Sequence, residues 1–418
     1  MKNEKHKLLK NTVMLYILKF SVYFFGFITV PYQTRVLGPT LYGKIGTAMV
    51  LMVYFQLLID YGFILSGTKE VAICANDPKA ISRVYSSVQY LKIGLVAISF
   101  VALTLLCFLI PGYRDDLWFY VLYLFGTAVN GMVPDFVYRG IQEMGAITLR
   151  VVISRIFFTL TLFVFLKGPQ DYMVIPLLAA IGNFVAFAWS VLYLKKYKVH
   201  LTRVSMADLM SHMKASSTFF LSRIAGAIQT NFSVILLRNI DPVACGYYTA
   251  ADKLYTTGQS ALSPITDSIY PYMTIHRDFK LIKKILKMLM PLIAVTCVIG
   301  FVFSNEICVI MFGEDFVHSG KVLKALMPGA LFTLPDYLFG FGIMSALGIT
   351  KHANYSIYLS TGFFIIGIGV LAFFGAVTAV HLALLTSSAM FIDMLYRVYQ
   401  VRRRWLQILR EEQAAKTV

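Results

Sequence analysis

The chain has 418 residues, of which 58% are hydrophobic and only 14% are charged, with a formal net charge of +17. Soluble domains carry about 25% charged residues, so this composition excludes an ordinary soluble protein. It is typical of a chain that crosses a bilayer many times, because each membrane helix needs about 20 apolar residues.

Apolar stretches of that length recur along the whole chain. In order, they predict twelve transmembrane helices near residues 12–34, 42–66, 86–110, 116–138, 144–166, 172–194, 215–237, 245–272, 288–304, 322–347, 354–375 and 377–396. The connections are short, and the longest outer loop, near 305–321, has roughly 17 residues. We therefore expect an all-α polytopic membrane protein with no room for a soluble catalytic or nucleic-acid-binding domain.

Lysine and arginine are concentrated in the termini and in every second loop. One of these loops holds Lys195, Lys196, Lys198, Arg203 and Lys214. The positive-inside rule then predicts that both termini are cytoplasmic, which requires an even number of spans and so fits twelve. We interpret the basic excess as an orientation signal and a contact with the anionic lipid bilayer, and expect no nucleic acid as a partner.

The two halves of the chain repeat a short string. TRVLGPTLYG at 34–43 and LRNIDPVACG at 237–246 share an arginine, a proline and a glycine at one constant offset of 203 residues, namely Arg35, Pro39 and Gly43 against Arg238, Pro242 and Gly246. A repeat after six spans is a parallel repeat, whose axis lies along the membrane normal. We predict two pseudo-symmetric six-helix bundles, residues 1–200 and 201–418, around a central cavity.

Eight lysines and arginines fall inside the predicted spans. A charge at the centre of a membrane helix costs about 2.5–3.5 kcal/mol, so such residues face water or a partner instead of lipid. Lys19, Arg155, Arg223 and Lys253 are the best candidates for lining a wet cavity that binds an anionic group such as phosphate.

The other four intramembrane cations are weaker candidates. Lys44 and Lys324 lie near helix ends and are expected to snorkel towards the interface. For Lys92 and Arg150 the sequence does not decide between a place in a cavity and a structural role. For every intramembrane cation, pairing with a buried carboxylate is the alternative to a place in a cavity.

Acidic residues in or near the spans are the possible partners of these cations. Asp60, Asp135 and Asp267 are the candidates for charge pairing or for coupling to an ion. Asp252, Asp336 and Asp393 also lie in or near spans. The sequence by itself leaves open which cations are paired.

Motifs for catalysis, metals and cofactors are missing from the sequence. It has no Walker A loop, no dinucleotide fingerprint, no HExxH and no nucleophile elbow, and its five cysteines show no metal-binding spacing. We therefore expect no catalytic residues, no metal and no cofactor, and a protein that is not an enzyme.

Several local strings resemble a known family. The segment PYQTRVLGPTLYGKIGTAMVLMVYFQLLIDYGFILSGTKEVA, residues 31–72, resembles the opening signature of bacterial polysaccharide flippases of the Wzx type. The matching positions are Pro31, Arg35, Leu37, Gly38, Gly43, Asp60, Gly62 and Glu70. PDFVYRGIQEMGAIT at 134–148 resembles the next signature, although it has Phe136 where tryptophan is common and Gln142 where glutamate is common. GYYTAADKL (246–254), FGEDF (312–316) and SALGITK (345–351) resemble later ones.

This resemblance implies a fold, a cargo and a location. The family belongs to the superfamily of multidrug, oligosaccharidyl-lipid and polysaccharide exporters, which implies a fold like that of the multidrug (MATE) exporters. The implied activity is alternating-access translocation of an undecaprenyl-pyrophosphate-linked oligosaccharide, such as an O-antigen unit of lipopolysaccharide, from the cytoplasmic to the periplasmic leaflet of the bacterial inner membrane. A polysaccharide polymerase and assembly proteins are candidate partners.

Two other functions remain open from the sequence. A multidrug exporter of the same superfamily would have the same architecture. A membrane-embedded glycan polymerase is less favoured, because such enzymes present a large outer loop and every outer loop here is short.

Overall fold

The structure is a computed structural model that describes residues 2–110, 112–276, 279–349 and 351–417. Within these ranges, side chains are described except at 2–10, 12, 218–219, 221–222, 264, 266–268, 270–272, 274–276, 341–342, 345 and 409–417. Over the same ranges the chain forms helices joined by short connections and contains no β-strand, which confirms the predicted all-α class.

Fifteen α-helices follow one another along the described chain. They are α1 (Lys2–Asp60), α2 (Phe63–Ile73), α3 (Pro78–Leu109), α4 (Leu117–Gly131), α5 (Asp135–Gly140), α6 (Met144–Phe165), α7 (Val174–Leu194), α8 (Met206–Ile240), α9 (Pro242–His276), α10 (Phe279–Val302), α11 (Ser304–Phe312), α12 (Ser319–Tyr337), α13 (Ile343–Ala346), α14 (Lys351–Phe373) and α15 (Ala379–Thr417). A π-helical turn, Leu338–Gly342, joins α12 to α13.

Eight helical stretches of the described chain are long and apolar enough to cross a membrane. One of them, Val13–Ile73, covers the first two predicted spans. Three further predicted spans fall on α8, α9 and α12. All twelve predicted spans therefore fall on helices, although three of them cover more than one: 42–66 runs from α1 into α2, 116–138 covers α4 and part of α5, and 322–347 covers α12, the π-helical turn and α13.

The break in α1 and the junction of α8 with α9 occupy equivalent positions of the repeat. Gly38 interrupts α1 with φ 69° and ψ 174°, a left-handed conformation that glycine adopts without strain, and Pro39 then begins the next segment. In the second half, Asp241 and Pro242 stand at the same offset, and the Asp241 carboxylate accepts hydrogen bonds from the backbone N–H groups of Val243 (3.0 Å) and Ala244 (2.9 Å). Both halves thus end one helix and start another at this point, by different means.

The helices group into two compact units. The first comprises Met1–Leu37 and Thr47–Ile224, and the second comprises Gly38–Gly46 and Ala225–Val418. The core of the first unit includes Phe63, Val88 and Phe136, and that of the second includes Leu334, Leu338 and Met344. The sequence-based boundary between residues 200 and 201 stays a prediction.

Within the second unit, the two repeated strings pack directly on each other through their glycines. A Cβ atom on Gly43 would lie 2.7 Å from the backbone nitrogen of Gly246 and 2.8 Å from the carbonyl oxygen of Pro242. Reciprocally, a Cβ atom on Gly246 would overlap the carbonyl group of Pro39. Each glycine therefore meets the proline of the opposite string, which is the contact pattern of a local pseudo-two-fold axis.

Candidate functional site

In the first unit, Lys92 is buried against the end of α1. Its ammonium group lies 3.6 Å from the Asp60 carboxylate and donates a 2.6 Å hydrogen bond to the backbone carbonyl of Gly131. It also lies 5.8 Å from the centre of the Phe136 ring. The side chain is only 3% exposed, so this cation is neutralised inside the unit and is closed to a ligand.

Arg150 on α6 is neutralised in a similar way. Its Nη2 atom donates to the Asp135 carboxylate at 3.0 Å, and the two side chains are 7% and 21% exposed. Asp135 is the first residue of α5, directly after Pro134. Lys92 and Arg150, the two cations that the sequence left ambiguous, thus contact Asp60 and Asp135, two of the three proposed coupling or pairing acids.

The helices α1 and α6 lie side by side with a fixed register. Thr148 donates a 2.9 Å hydrogen bond to the carbonyl of Met14, and Tyr32 donates one to the carbonyl of Leu166 near the other end of α6. Both pairs are 134 residues apart in sequence. The two helices therefore run parallel, and residues with this separation lie at the same height.

This register places two of the proposed binding cations at one depth. Arg155 is level with Ser21, two residues along α1 from Lys19, which corresponds to an axial separation of about 3 Å. Arg155 follows Thr148 by seven residues, about two helical turns, so it projects from the same side of α6. Lys19 is half-buried.

Arg155 is exposed in the middle of α6 and has no hydrogen-bond or ion-pair partner among the described residues. An arginine facing hydrocarbon at this depth would be costly. Exposure at mid-helix without a partner therefore favours a position on a hydrated surface, where a ligand oxygen can take the partner's place.

Arg223 lies on the part of α8 that belongs to the first unit. This part packs antiparallel to α2 through a 2.7 Å contact between the hydroxyls of Ser66 and Ser216, and the rings of Tyr61 and Phe220 stack at 4.6 Å. Arg223 follows Phe220 by about one turn, which brings it level with the carboxyl end of α1. Its Nη1 atom is enclosed and has no hydrogen-bond partner among the described residues.

The remaining proposed site residues lie in the second unit. Lys253 is exposed on α9, next in sequence to Asp252. Asp267, also on α9, lies outside the residues whose side chains the structure describes. Lys19, Arg155 and Arg223 belong to the first unit and Lys253 to the second, so the convergence of all four on one site stays a prediction.

The two cations expected to snorkel differ from each other. Lys324 is exposed, with its ammonium group 4.6 Å from the centre of the Phe301 ring. Lys44 is only 7% exposed, so the expectation that it snorkels is wrong. It follows the tight glycine crossing at Gly43 and belongs, with Gly38–Gly46, to the second unit.

Sequence reasoning missed a buried charge cluster in the second unit. The Arg397 Nη1 atom donates to the carboxylate of Asp336 at 2.9 Å, and its Nη2 atom donates to the carboxylate of Asp393 at 3.1 Å. Arg397 falls one residue beyond the last predicted span, so it was not counted among the intramembrane cations. The signal available was the i, i+4 spacing of Asp393 and Arg397 on α15.

Long apolar helices with charges neutralised between them define a multi-pass membrane protein, and the comparisons with known proteins specify its kind. The model of the family described as "Polysaccharide biosynthesis protein" matches residues 8–276, so the chain belongs to this family. The predicted family resemblance is thereby confirmed.

Two relatives carry the name "Putative O-antigen transporter". The one from Escherichia coli (strain K12) is 27% identical over 277 residues, which are 65% of this chain and 66% of that protein. The one from Shigella dysenteriae is 25% identical over 327 residues, which are 76% of this chain and 81% of that protein. This chain thus spans slightly less than two thirds of the first relative. Both names describe transporters, in agreement with the prediction that the chain is not an enzyme.

Solved structures share the fold at low sequence identity. The lipid II flippase MurJ in its inward closed conformation superposes with a TM-score of 0.66 at 16% identity, over 95% of this chain and 89% of MurJ. An inward-facing multidrug resistance MATE family transporter of the MOP superfamily gives 0.64 at 13% identity, over 92% of this chain and 98% of that one. The predicted MATE-like fold is therefore confirmed.

Proposed function

We propose that the protein is a flippase for an undecaprenyl-pyrophosphate-linked oligosaccharide, such as an O-antigen unit. It moves its cargo from the cytoplasmic to the periplasmic leaflet of the bacterial inner membrane, with both of its termini in the cytoplasm. Support comes from its family, from relatives named as O-antigen transporters and from its MurJ-like fold. A polysaccharide polymerase and assembly proteins are its proposed partners.

The single observation that carries this proposal is an exposed arginine, Arg155, in the middle of the apolar helix α6, with no partner among the described residues. Lys92 and Arg150 are neutralised by Asp60 and Asp135, whereas Arg155 lies exposed without a partner in the described chain. A guanidinium group binds two phosphate oxygens at once, which suits the pyrophosphate of the lipid carrier. Lys19, at the same depth, adds a second positive charge for the same anion.

A protein is needed because the cargo cannot cross hydrocarbon unaided. Each sugar hydroxyl stripped of water without a new hydrogen bond costs several kcal/mol. In the proposed mechanism the headgroup occupies a hydrated cavity between two six-helix bundles, residues 1–200 and 201–418, while the polyprenyl tail stays in the bilayer. The cavity opens to each side in turn, by rocking of one repeat against the other.

The test is Arg155→Gln in a host that lacks its own copy of the gene. Loss of a charge-assisted contact of about 1.5–3 kcal/mol predicts a decrease in surface polysaccharide of roughly 10-fold or more, measured by immunoblotting. Arg155→Lys keeps the positive charge but loses the guanidinium group that binds two oxygens at once, so it should retain part of the activity. Lys324→Gln removes a cation that lies over Phe301 and is the matched control, with no expected loss.

The membrane level of each variant, measured with a C-terminal tag, separates transport from insertion. Full surface polysaccharide with Arg155→Gln at normal membrane levels would contradict the assignment of Arg155. A wild-type protein that leaves polysaccharide unchanged but lowers the host's sensitivity to cationic dyes would favour the multidrug exporter instead.

A further inference from the structure

The buried cluster on α12, α14 and α15 of the second unit holds one more acid than base. Arg397 is 6% exposed, Asp336 is 3% exposed and Asp393 is 7% exposed. With both carboxylates ionised the cluster carries one uncompensated negative charge. An isolated charge enclosed away from water is strongly unfavourable and is removed by binding a cation or a proton.

The hydrogen bonds of Arg397 show which oxygen atoms stay available. Besides its bonds to the two carboxylates, Arg397 donates from Nη1 to the backbone carbonyl of Asp336 and from Nε to the hydroxyl of Ser356, each at 2.9 Å. The Asp393 Oδ1 atom lies 3.0 Å from Nε, but the Nε hydrogen is directed to Ser356. Asp336 Oδ1 and Asp393 Oδ1 are both enclosed and receive no hydrogen bond from the described residues.

We propose that Asp336 and Asp393 together bind one proton, and that this site couples the second unit to a proton gradient. The proton forms an O–H bond on Asp336 Oδ1 or on Asp393 Oδ1 and leaves the cluster electrically neutral. This inference rests on the proposed function for its coupling role, but the binding of the proton does not. The described part of the chain contains no group of three or more His, Cys, Asp or Glu side chains placed to hold a metal ion.

A break in the neighbouring helix offers a route from proton binding to movement. The π-helical turn Leu338–Gly342 begins two residues after Asp336, and Gly340 has a non-helical ψ of −129°. A Cβ atom on Gly340 would lie 2.7 Å from the Arg397 Nη1 atom, so Arg397 lies against the break. Protonation of Asp336 weakens the ion pair that fixes Arg397 at this place and so frees the broken segment to move.

Other titratable groups surround the cluster. On α9, Tyr255 lies within electrostatic range of Asp336, Asp252 and Tyr337. On α14, His352 lies one helical turn before Ser356 and is hydrogen-bonded at 2.9 Å to Tyr396 of α15. Because Asp252 shares the neighbour Tyr255 with Asp336, it is the alternative position for the proton.

The test is infrared difference spectroscopy of the purified full-length protein in nanodiscs, as the pH is lowered from alkaline to acidic. A buried protonated carboxyl gives a C=O band well separated from that of a carboxylate. We expect this band to appear in the wild type with the intensity of about one proton per chain. The band should be lost in both Asp336→Asn and Asp393→Asn, because either change leaves one acid paired with one arginine.

Asp115→Asn, an exposed acid outside the spans, is the matched control and should keep the band. If Asp336→Asn does not fold, Asp393→Asn and the frequency shift in Asp336→Glu carry the same test. A wild type with no titrating band would overturn the proposal, as would a band that survives in both variants or disappears in Asp252→Asn. A titration displaced by added sodium would assign the site to a metal ion instead.

These results are independent of the proposed cargo. A titrating band in a protein that moves no oligosaccharide would reject the flippase and leave the proton site standing. A protein that moves the oligosaccharide but shows no titrating band would reject the proton site and leave the proposed flippase standing.

Discussion

The two units of this protein treat buried charge differently. The first unit pairs each of two buried cations with its own carboxylate, Lys92 with Asp60 and Arg150 with Asp135. The second unit sets two carboxylates against a single arginine, Arg397. A network with equal numbers of acids and bases is neutral and serves a structural role. A network with one acid in excess needs a further positive charge to become neutral.

The difference extends to exposure. Asp60 and Asp135 retain 18% and 21% of their side-chain exposure, so water can relieve part of their desolvation. Asp336 and Asp393 retain 5% and 10%. The deeper cluster is thus also the one with the charge imbalance.

Removing the central cation of each network tests this difference between the units most directly. Arg397→Met strands two enclosed carboxylates, and we expect it to cost about 3–5 kcal/mol or to prevent folding. Arg150→Met strands only the partly exposed Asp135 and should cost clearly less. The readout is thermal unfolding in detergent, with membrane expression as a second measure.

Neutralising the stranded acids is the control for this pair. Arg397→Met combined with Asp336→Asn and Asp393→Asn should recover most of the lost stability, because no unpaired charge remains. An Arg150→Met protein that is destabilised as much as Arg397→Met would contradict the distinction between the two networks.

The two halves of the chain are alike at the glycine crossing inside the second unit, and substitution of its glycines tests how closely the two strings pack. Gly246→Ala places a methyl group into the carbonyl of Pro39, and Gly43→Ala places one against Gly246 and Pro242. Because the obstacles are backbone atoms, we expect losses of about 1–3 kcal/mol for each, larger for Gly246. Thermal unfolding of the purified variants measures both.

Gly258 provides the matched control on the same helix, α9. No atom lies within 4 Å of a Cβ at this position, so Gly258→Ala should stabilise the helix by about 0.5–1 kcal/mol. Unchanged stability in both Gly43→Ala and Gly246→Ala would show that the close crossing is not maintained in the membrane.

Helix positions were predictable from the sequence because apolar run length reports directly on membrane crossing. The repeat was predictable as well, since Pro39 and Gly43 share one offset with Pro242 and Gly246. The pairing of the cations was not, because Lys92 and Asp60, or Arg397 and Asp336, come from helices far apart in sequence. Nothing in their local strings distinguishes Lys92, which is paired, from Arg155, which has no partner among the described residues.

The smallest expected effect concerns an ion pair at the surface of the first unit, Arg83 with Asp208 at 2.8 Å. Hydrogen bonds from Arg83 and Ser205 hold the pKa of Asp208 below its ordinary value of 3.8. A carboxyl with a lowered pKa stabilises the folded state above its ordinary pKa, and this contribution is lost as the pH falls through the folded-state pKa. Arg83→Ala should therefore lower the Tm slightly at neutral pH and not at all in strong acid.

Because Arg83 is 65% exposed, solvent and salt screen this pair, and high ionic strength should reduce the difference further. Lys79→Ala removes a neighbouring surface charge on α3 and controls for net charge alone. A pH-independent loss in Arg83→Ala would show that its aliphatic stem, and not its charge, joins the start of α8 to α3. The loss of stability in Arg397→Met, compared with that in Arg83→Ala, shows how much more an unpaired charge destabilises the fold when it is enclosed than when it lies at the surface.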